Sequence, residues 1–159
     1  MSVWPERTQI QTEEGKMKVN RVRQRARELA MQFLYSQDMR RQGNFTQAME
    51  LFLSLNARSD DEPAVMEECT RLSAGVMSMR AEIDELLSRV VSGWRLERMV
   101  SVDRQILRLM TLEVFKWKEL ALMTGMTEGR RLAAKYGTEK SACFVSGVMR
   151  RVAKYVEAA

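Results

Sequence analysis

The sequence predicts an all-α protein of about seven helices in two small packed helical bundles, and three observations lead there. Apolar residues recur at three- and four-residue spacing over long segments. β-branched residues never form the alternating runs that strands require. Two prolines and eight glycines leave little punctuation in 159 residues, a length suited to one or two small domains with a real core. No internal repeat or low-complexity tract interrupts the pattern.

Residues 1–19 carry Pro5, Gly15 and scattered polar side chains and read as a mostly disordered extension, with Trp4 available to dock; residues 20–159 form the helical domain. The first helix is expected over about residues 20–40, with Asn20 as N-cap and Val22, Ala26, Leu29, Ala30 and Phe33 on one face. Gly43-Asn44 ends it. A short helix over about 46–55 presents Ala48, Met49, Phe52 and Leu53. After an acidic loop at 59–62, Pro63 takes the first position of a helix running to about 79, striped by Val65, Cys69, Leu72 and Val76. The stripe continues through Ile83, Leu86, Leu87, Val90 and Val91, read as a separate helix over about 81–92 that Gly93-Trp94 terminates. A long helix over about 102–120 turns Ile106, Leu107, Met110, Val114 and Trp117 inward. A weaker one over about 127–136 closes at Gly137, and the last covers about 141–157 with Val145, Val148, Met149, Val152 and Val156.

Composition narrows the chemistry. There is no histidine, which removes Ser-His-Asp and Cys-His catalysis, histidine-ligated metals and a histidine pH switch. Cys69 and Cys143 make neither a zinc cluster nor a disulfide framework and suit a reducing compartment. No glycine-rich phosphate loop, Gly-x-Ser-x-Gly or Cys-x-x-Cys is present. Glu82, Asp84 and Glu85 lie beside Arg80 and Arg89, an arrangement of ion pairs rather than of acid and base. The expectation is a protein with no enzymatic activity, cofactor or metal. With no apolar run long enough for a membrane span or signal peptide, it is read as soluble and cytoplasmic. The thirteen methionines mostly follow the apolar stripes and read as gap-filling core.

The net charge of +5 and pI near 9.5 favour an anionic partner without naming one. Arg21, Arg23, Arg25 and Arg27 flank both margins of the first apolar stripe, close to a helix N-terminus whose dipole disfavours them. Guanidinium forks suit phosphate; a solvated basic face explains the same pattern equally well. Arg104 and Arg108, four apart with Arg95 and Arg98 before them, read as surface arginines pairing with Glu97 or Glu113, ahead of the alternative of a second cationic strip. Asp103 lies in a first helical turn near Ile106 and Met110, either as a dipole-stabilising acid or as a charged contact for a partner. Phe144 sits at a stripe edge near Lys140 and Arg151, where an aromatic either completes the core or stacks a nucleobase.

Four blocks of sequence, in one order and spacing, resemble the NusB family of bacterial transcription antitermination factors. The first is Arg25-Ala26-Arg27-Glu28-Leu29-Ala30-Met31-Gln32-Phe33-Leu34-Tyr35. The second is Ile83-Asp84-Glu85-Leu86 leading to Trp94-Arg95-Leu96-Glu97-Arg98, and the third is Val102-Asp103-Arg104-Gln105-Ile106-Leu107-Arg108-Leu109. The fourth is Leu132-Ala133-Ala134-Lys135-Tyr136-Gly137, running into Glu139-Lys140-Ser141 and Phe144-Val145-Ser146-Gly147-Val148. The resemblance covers about residues 23–153.

It implies a two-bundle helical fold that binds single-stranded boxA RNA jointly with NusE, a small-subunit ribosomal protein. It also implies an RNA polymerase antitermination complex acting notably in ribosomal RNA operons. By position, Arg23, Arg25, Arg27, Gln32, Arg108, Lys140, Ser141 and Phe144 match the family's RNA track, and Tyr35, Met39 and Asp103 match its NusE-facing surface. The chain departs from the family pattern where Thr127-Glu128 replaces an Asn-Glu pair, where Cys143 and Ser146 replace a lysine and an asparagine, and where Lys140 stands in place of a common acid. Gly125 and Gly129 weaken helix formation near the first of these. The alternative reading is an interaction module, a homodimer or NusE holder, with little RNA binding.

Overall fold

The computed structural model describes residues 3, 4, 6, 11–40 and 43–159, the side chain of Trp94 excepted. Among them lie eight α-helices and one π-helical segment, with no strand. In chain order they are α1 (Glu13–Met39), α2 (Phe45–Asn56), α3 (Pro63–Ser78), α4 (Arg80–Val91), α5 (Gly93–Arg98), α6 (Ser101–Thr111), the π segment Leu112–Lys116, α7 (Leu122–Tyr136) and α8 (Ser141–Ala158). They divide into two compact units, Met1–Ala74 and Gly75–Ala159. None of these helices is long and apolar enough to cross a membrane.

In the N-terminal unit α1 starts seven residues before the expected position. Its N-cap is Thr12, whose hydroxyl accepts the Gly15 N–H at 2.9 Å, rather than Asn20. Glu13 and Glu14 occupy the first turn, where the helix dipole favours acids, and Gly15 and Val19 are already buried. Residues 13–19 are therefore helix and not disordered extension; of the preceding stretch, residues 1, 2, 5 and 7–10 lie outside the described residues. Val22, Ala26, Leu29, Ala30 and Phe33 are buried as their spacing requires. Phe33 meets the edges of Phe45 and Phe52 at centroid distances of 5.7 and 5.4 Å, fastening α2 to α1. Asn44 caps α2 by accepting the Thr46 and Gln47 N–H groups, after Gly43 turns the chain at φ 117°. Pro63 opens α3 as expected.

In the C-terminal unit the core is Ile83, Leu87, Ile106, Leu107, Leu109, Met110, Leu132, Val145, Val148 and Val152, contributed by α4, α6, α7 and α8. Two elements depart from the periodicity. Ser92, at φ 57°, breaks α4 from α5, and Arg104 secures that six-residue helix by donating to its Leu96 and Glu97 carbonyls. The expected long helix ends early. Trp117 N–H reaches back five residues to the Leu112 carbonyl at 2.7 Å, Lys118 adopts φ 56°, and the Glu113 carbonyl receives both Glu119 and Leu120 N–H groups.

The helix α7 begins at Leu122, five residues earlier than the sequence suggests, because its glycines serve packing. A Cβ on Gly129 would stand 3.1 Å from Val145 and 3.3 Å from Met149, and one on Gly125 would run into Val114. Close approach of α7 to α8 offsets the low helix propensity of glycine.

Candidate nucleic-acid interface

The arginines at the start of the first block share a helix but not an environment. Arg23 is exposed on α1, and its guanidinium carbon stands 5.9 Å from the centroid of the Trp4 ring, a cation–π contact from the N-terminal extension. Arg25 is held by Asp61: Nε donates to Oδ1 at 2.9 Å and a terminal nitrogen to Oδ2 at 3.1 Å, with the Asn56 carbonyl accepting at 3.4 Å. The two side chains are only 13% and 7% exposed, so this fork is already filled. Burial alone would raise the Asp61 carboxyl. The Arg25 hydrogen bond, the Arg58 backbone N–H and the charges of both arginines outweigh it and hold the group below its ordinary value. Arg27 is buried, 5% exposed. Gln32 is half-buried further along α1.

On the same helix, Tyr35 and Met39 are exposed one turn apart. They line a groove of about 730 Å³ between the end of α1 and α2, with Leu51 and Leu55 on its far wall.

In the C-terminal unit Arg108 faces inward. Its Nε and a terminal nitrogen donate to Asp84 at 2.8 and 2.9 Å, and the other terminal nitrogen donates to Gln105 at 3.3 Å. The fork ties Arg108 to Asp84 on α4, a carboxylate that also forms the expected ion pair with Arg80 at 3.7 Å. Asp103 is also buried, its Oδ1 without a hydrogen-bond partner among the described residues. Burial raises its pKa, and a hydrogen bond from the Ser141 hydroxyl partly offsets the rise. Asp103 lies in the first turn of α6, as its dipole-stabilising reading expects, with its carboxylate largely covered by its own chain.

Ser141 is buried too, accepting the Thr138 N–H at 2.9 Å, so it fixes the turn into α8. Lys140 and Phe144 are exposed at that turn, linked by the Phe144 N–H donated to the Lys140 carbonyl at 3.1 Å. Phe144 keeps 37% of its surface in solvent and is not core.

The departures around these residues have local roles. Glu128 is buried and accepts a fork from Arg131 at 2.9–3.3 Å, and the Ser146 hydroxyl donates to the Cys143 carbonyl. Burial pushes the Cys69 thiol up to about 12, which leaves it inert as a nucleophile. No group of three metal-ligating side chains gathers among the described residues.

The docking expected of Trp4 is realised on Arg23, a partner that sequence does not name. The pairs Arg25–Asp61 and Arg108–Asp84 join positions distant in sequence, and only the acidic loop at 59–62 hints at the first.

Residues 24–154 match the model of the NusB family. The transcription antitermination protein NusB of Desulforudis audaxviator is 37% identical over 138 residues, covering 85% of this chain and 95% of that protein. NusB of an Anaeromyxobacter species is 37% identical over 131 residues, covering 82% and 89%. Among solved structures, Thermotoga maritima NusB superposes with a TM-score of 0.73 at 32% identity, covering 83% of this chain and 90% of that one. A crystal structure of antitermination factors NusB and NusE in complex with dsRNA gives a TM-score of 0.71 at 27% identity, covering 85% and 98%.

Proposed function

The chain belongs to the NusB family, and from that membership we propose that it is a transcription antitermination factor binding single-stranded boxA-like RNA jointly with NusE. In this reading it acts in the cytoplasm, within an RNA polymerase antitermination complex on ribosomal RNA operons, and performs no catalysis. The observation that carries the reading is Phe144, an uncovered aromatic one turn from exposed Lys140, in a fold of which one solved relative is a complex of NusB and NusE with dsRNA.

The matched residues divide by exposure. Arg23 and Lys140 supply phosphate contacts, Phe144 stacks a base, and Gln32 hydrogen-bonds at the edge of the track. Arg25, Arg27, Arg108 and Ser141 act through others. Arg25 secures the loop that carries Asp61, Arg108 ties α6 to α4, and Ser141 sets the turn that aims Lys140 and Phe144. Tyr35 and Met39, on the groove between α1 and α2, meet NusE, with Asp103 beneath the surface of its own unit.

Fluorescence anisotropy of a labelled boxA-like RNA, with and without NusE, tests this. RNA binding should tighten when NusE is added. Phe144→Ala should weaken it by about 1–3 kcal/mol with little change in salt dependence. Replacing Tyr35 and Met39 together by Ala should remove the effect of NusE and leave binding by the chain alone unchanged. RNA binding indifferent to both salt and Phe144→Ala would overturn the assignment.

A further inference from the structure

Helix α8 continues past Phe144 with a surface that none of the matched positions uses. At about 100° per residue, Lys140, Phe144, Arg151 and Tyr155 fall within an arc of about 60°. All four are exposed, Tyr155 with 41% of its surface in solvent. Lys154 is exposed about 40° from the arc, whereas Arg150, Glu139 and Glu157 lie about 80–100° off it. Lys140, Arg150, Arg151 and Lys154 make no ion pair among the described residues. The helix dipole does not account for the cations, since the last turn of α8 contains none and the dipole acts only over that turn.

Between the two aromatics the face is low. Gly147 lies on its margin, and a Cβ there would meet nothing within 4 Å. The two rings are eleven residues apart on one helix, about 16 Å at 1.5 Å per residue. That spacing lets each ring hold its own base while the strand between them lies over a shallow, cationic stretch. Aromatic platforms alternating with cations along one line are the arrangement by which proteins hold single-stranded nucleic acid with little sequence preference.

We propose that this face of α8 is a second segment of RNA-binding surface, in which Tyr155 stacks a base and Arg151 and Lys154 contact phosphates beyond the base held by Phe144. The ligand is the flanking single strand of the same RNA, read by charge and stacking rather than by base edges. The inference rests on the RNA-binding function proposed above and lengthens its footprint along α8.

The test uses the full chain and two U-rich single strands, one of about six and one of about twelve nucleotides, within the range of known single-strand site sizes. Tyr155→Ala should weaken binding of the longer strand about fivefold or more and leave the shorter one unchanged. Tyr155→Phe should bind like the original, because the ring is retained. Replacing Arg151 and Lys154 by Ala should lower the salt slope for the longer strand by about 1.4, two contacts at about 0.7 each. Gly147→Leu, which has room in the fold, should block the longer strand by raising a side chain across its path. Far-ultraviolet circular dichroism should be unchanged in every variant.

If Phe144→Ala weakens both strands while Tyr155→Ala and the Arg151/Lys154 variant weaken neither, the second segment is refuted and the first stands. If the unmodified chain binds neither strand, both fall together. A twelve-nucleotide strand bound no more tightly than the six-nucleotide one would also overturn the extension.

Discussion

On α1 the three arginines at 23, 25 and 27 meet three fates: Arg23 lies exposed against Trp4, Arg25 is forked onto Asp61, and Arg27 is buried. On α8, Arg150, Arg151 and Lys154 are all exposed and make no ion pair among the described residues. Both helices carry a basic margin beside an apolar stripe, and in sequence the two margins look alike. They differ in their surroundings. Opposite α1 runs an acidic loop whose Asp61 needs a counter-charge in a half-dry position, and the helix supplies it. Among the described residues no carboxylate pairs with the cations of α8 in that way. Cations near a buried carboxylate hold the chain together; cations without one remain available to a ligand.

Removing the carboxylates probes that contrast most strongly. Asp61→Ala takes the carboxylate fork from Arg25, and Asp84→Ala takes that from Arg108, whose side chain is 5% exposed. Each should lower stability by about 3 kcal/mol in urea unfolding, since a largely buried guanidinium loses its paired carboxylate. Arg151→Ala and Lys154→Ala should stay within about 0.5 kcal/mol of the original. Asp61→Ala as harmless as Arg151→Ala would erase the distinction between the two helices.

Acid should separate the units by sign. The Asp61 carboxyl is held below its ordinary value of 3.8 in the folded chain. Its contribution is therefore complete above that value and is lost as pH falls through the lower, folded-state value. Asp103 is shifted the other way, above 3.8. The folded chain takes up that proton first, so stability rises as pH falls through the raised value toward 3.8 and gains nothing further below it. Melting temperatures measured across acidic pH should show Asp61→Asn flattening the low-pH loss. Asp103→Asn should abolish the gain and raise stability at neutral pH. A loss on acidification that Asp61→Asn does not alter would contradict the environment assigned to Arg25.

Binding resolves the arginines of α1 one from another. Arg23→Ala should reduce the salt slope for boxA-like RNA by about 0.7 and weaken binding by about 1 kcal/mol or less, with urea stability unchanged. Arg25→Ala should do the reverse, lowering stability with little direct effect on slope. Equal slopes for the two variants would mean that Arg25 exchanges Asp61 for phosphate when RNA arrives.

Periodicity exposed most of the fold and only part of the site, for one physical reason. Burial follows from local spacing: Val22, Ala26, Leu29 and Phe33 share a face whatever lies opposite, as do Val145, Val148 and Val152. Partners do not follow from spacing. That Arg108 turns inward to Asp84, 24 residues away, depends on how α6 lies against α4. The same holds for Asp103, whose apolar neighbours on the helix were visible but whose cover by Ser141 was not. Element ends were missed where chemistry overrode pattern. Lys118 takes positive φ without being glycine, so nothing in its residue type marks the break it makes, whereas the end of α4 at Val91 follows the break that Gly93 signals.

The smallest effect distinguishes two glycines of one packed pair of helices. Gly129 on α7 faces α8 so closely that a methyl group would press on Val145 and Met149, whereas Gly147 on α8 faces open space. Both lie inside helices, where replacing glycine by alanine restricts the unfolded chain and favours helix by about 0.5–1 kcal/mol. At Gly147 nothing opposes that gain, so Gly147→Ala should stabilise the chain by about that amount and raise its melting temperature. At Gly129 the added methyl must displace side chains that already fill the core, and overpacking of this kind costs about 1–3 kcal/mol. Gly129→Ala should therefore be net destabilising, so that one chemical change moves stability in opposite directions on facing helices. Thermal unfolding of the two variants side by side reads the sign directly. Stabilisation by Gly129→Ala would mean that α7 and α8 have room to part, and the close approach that lets α7 tolerate glycine would lose its explanation.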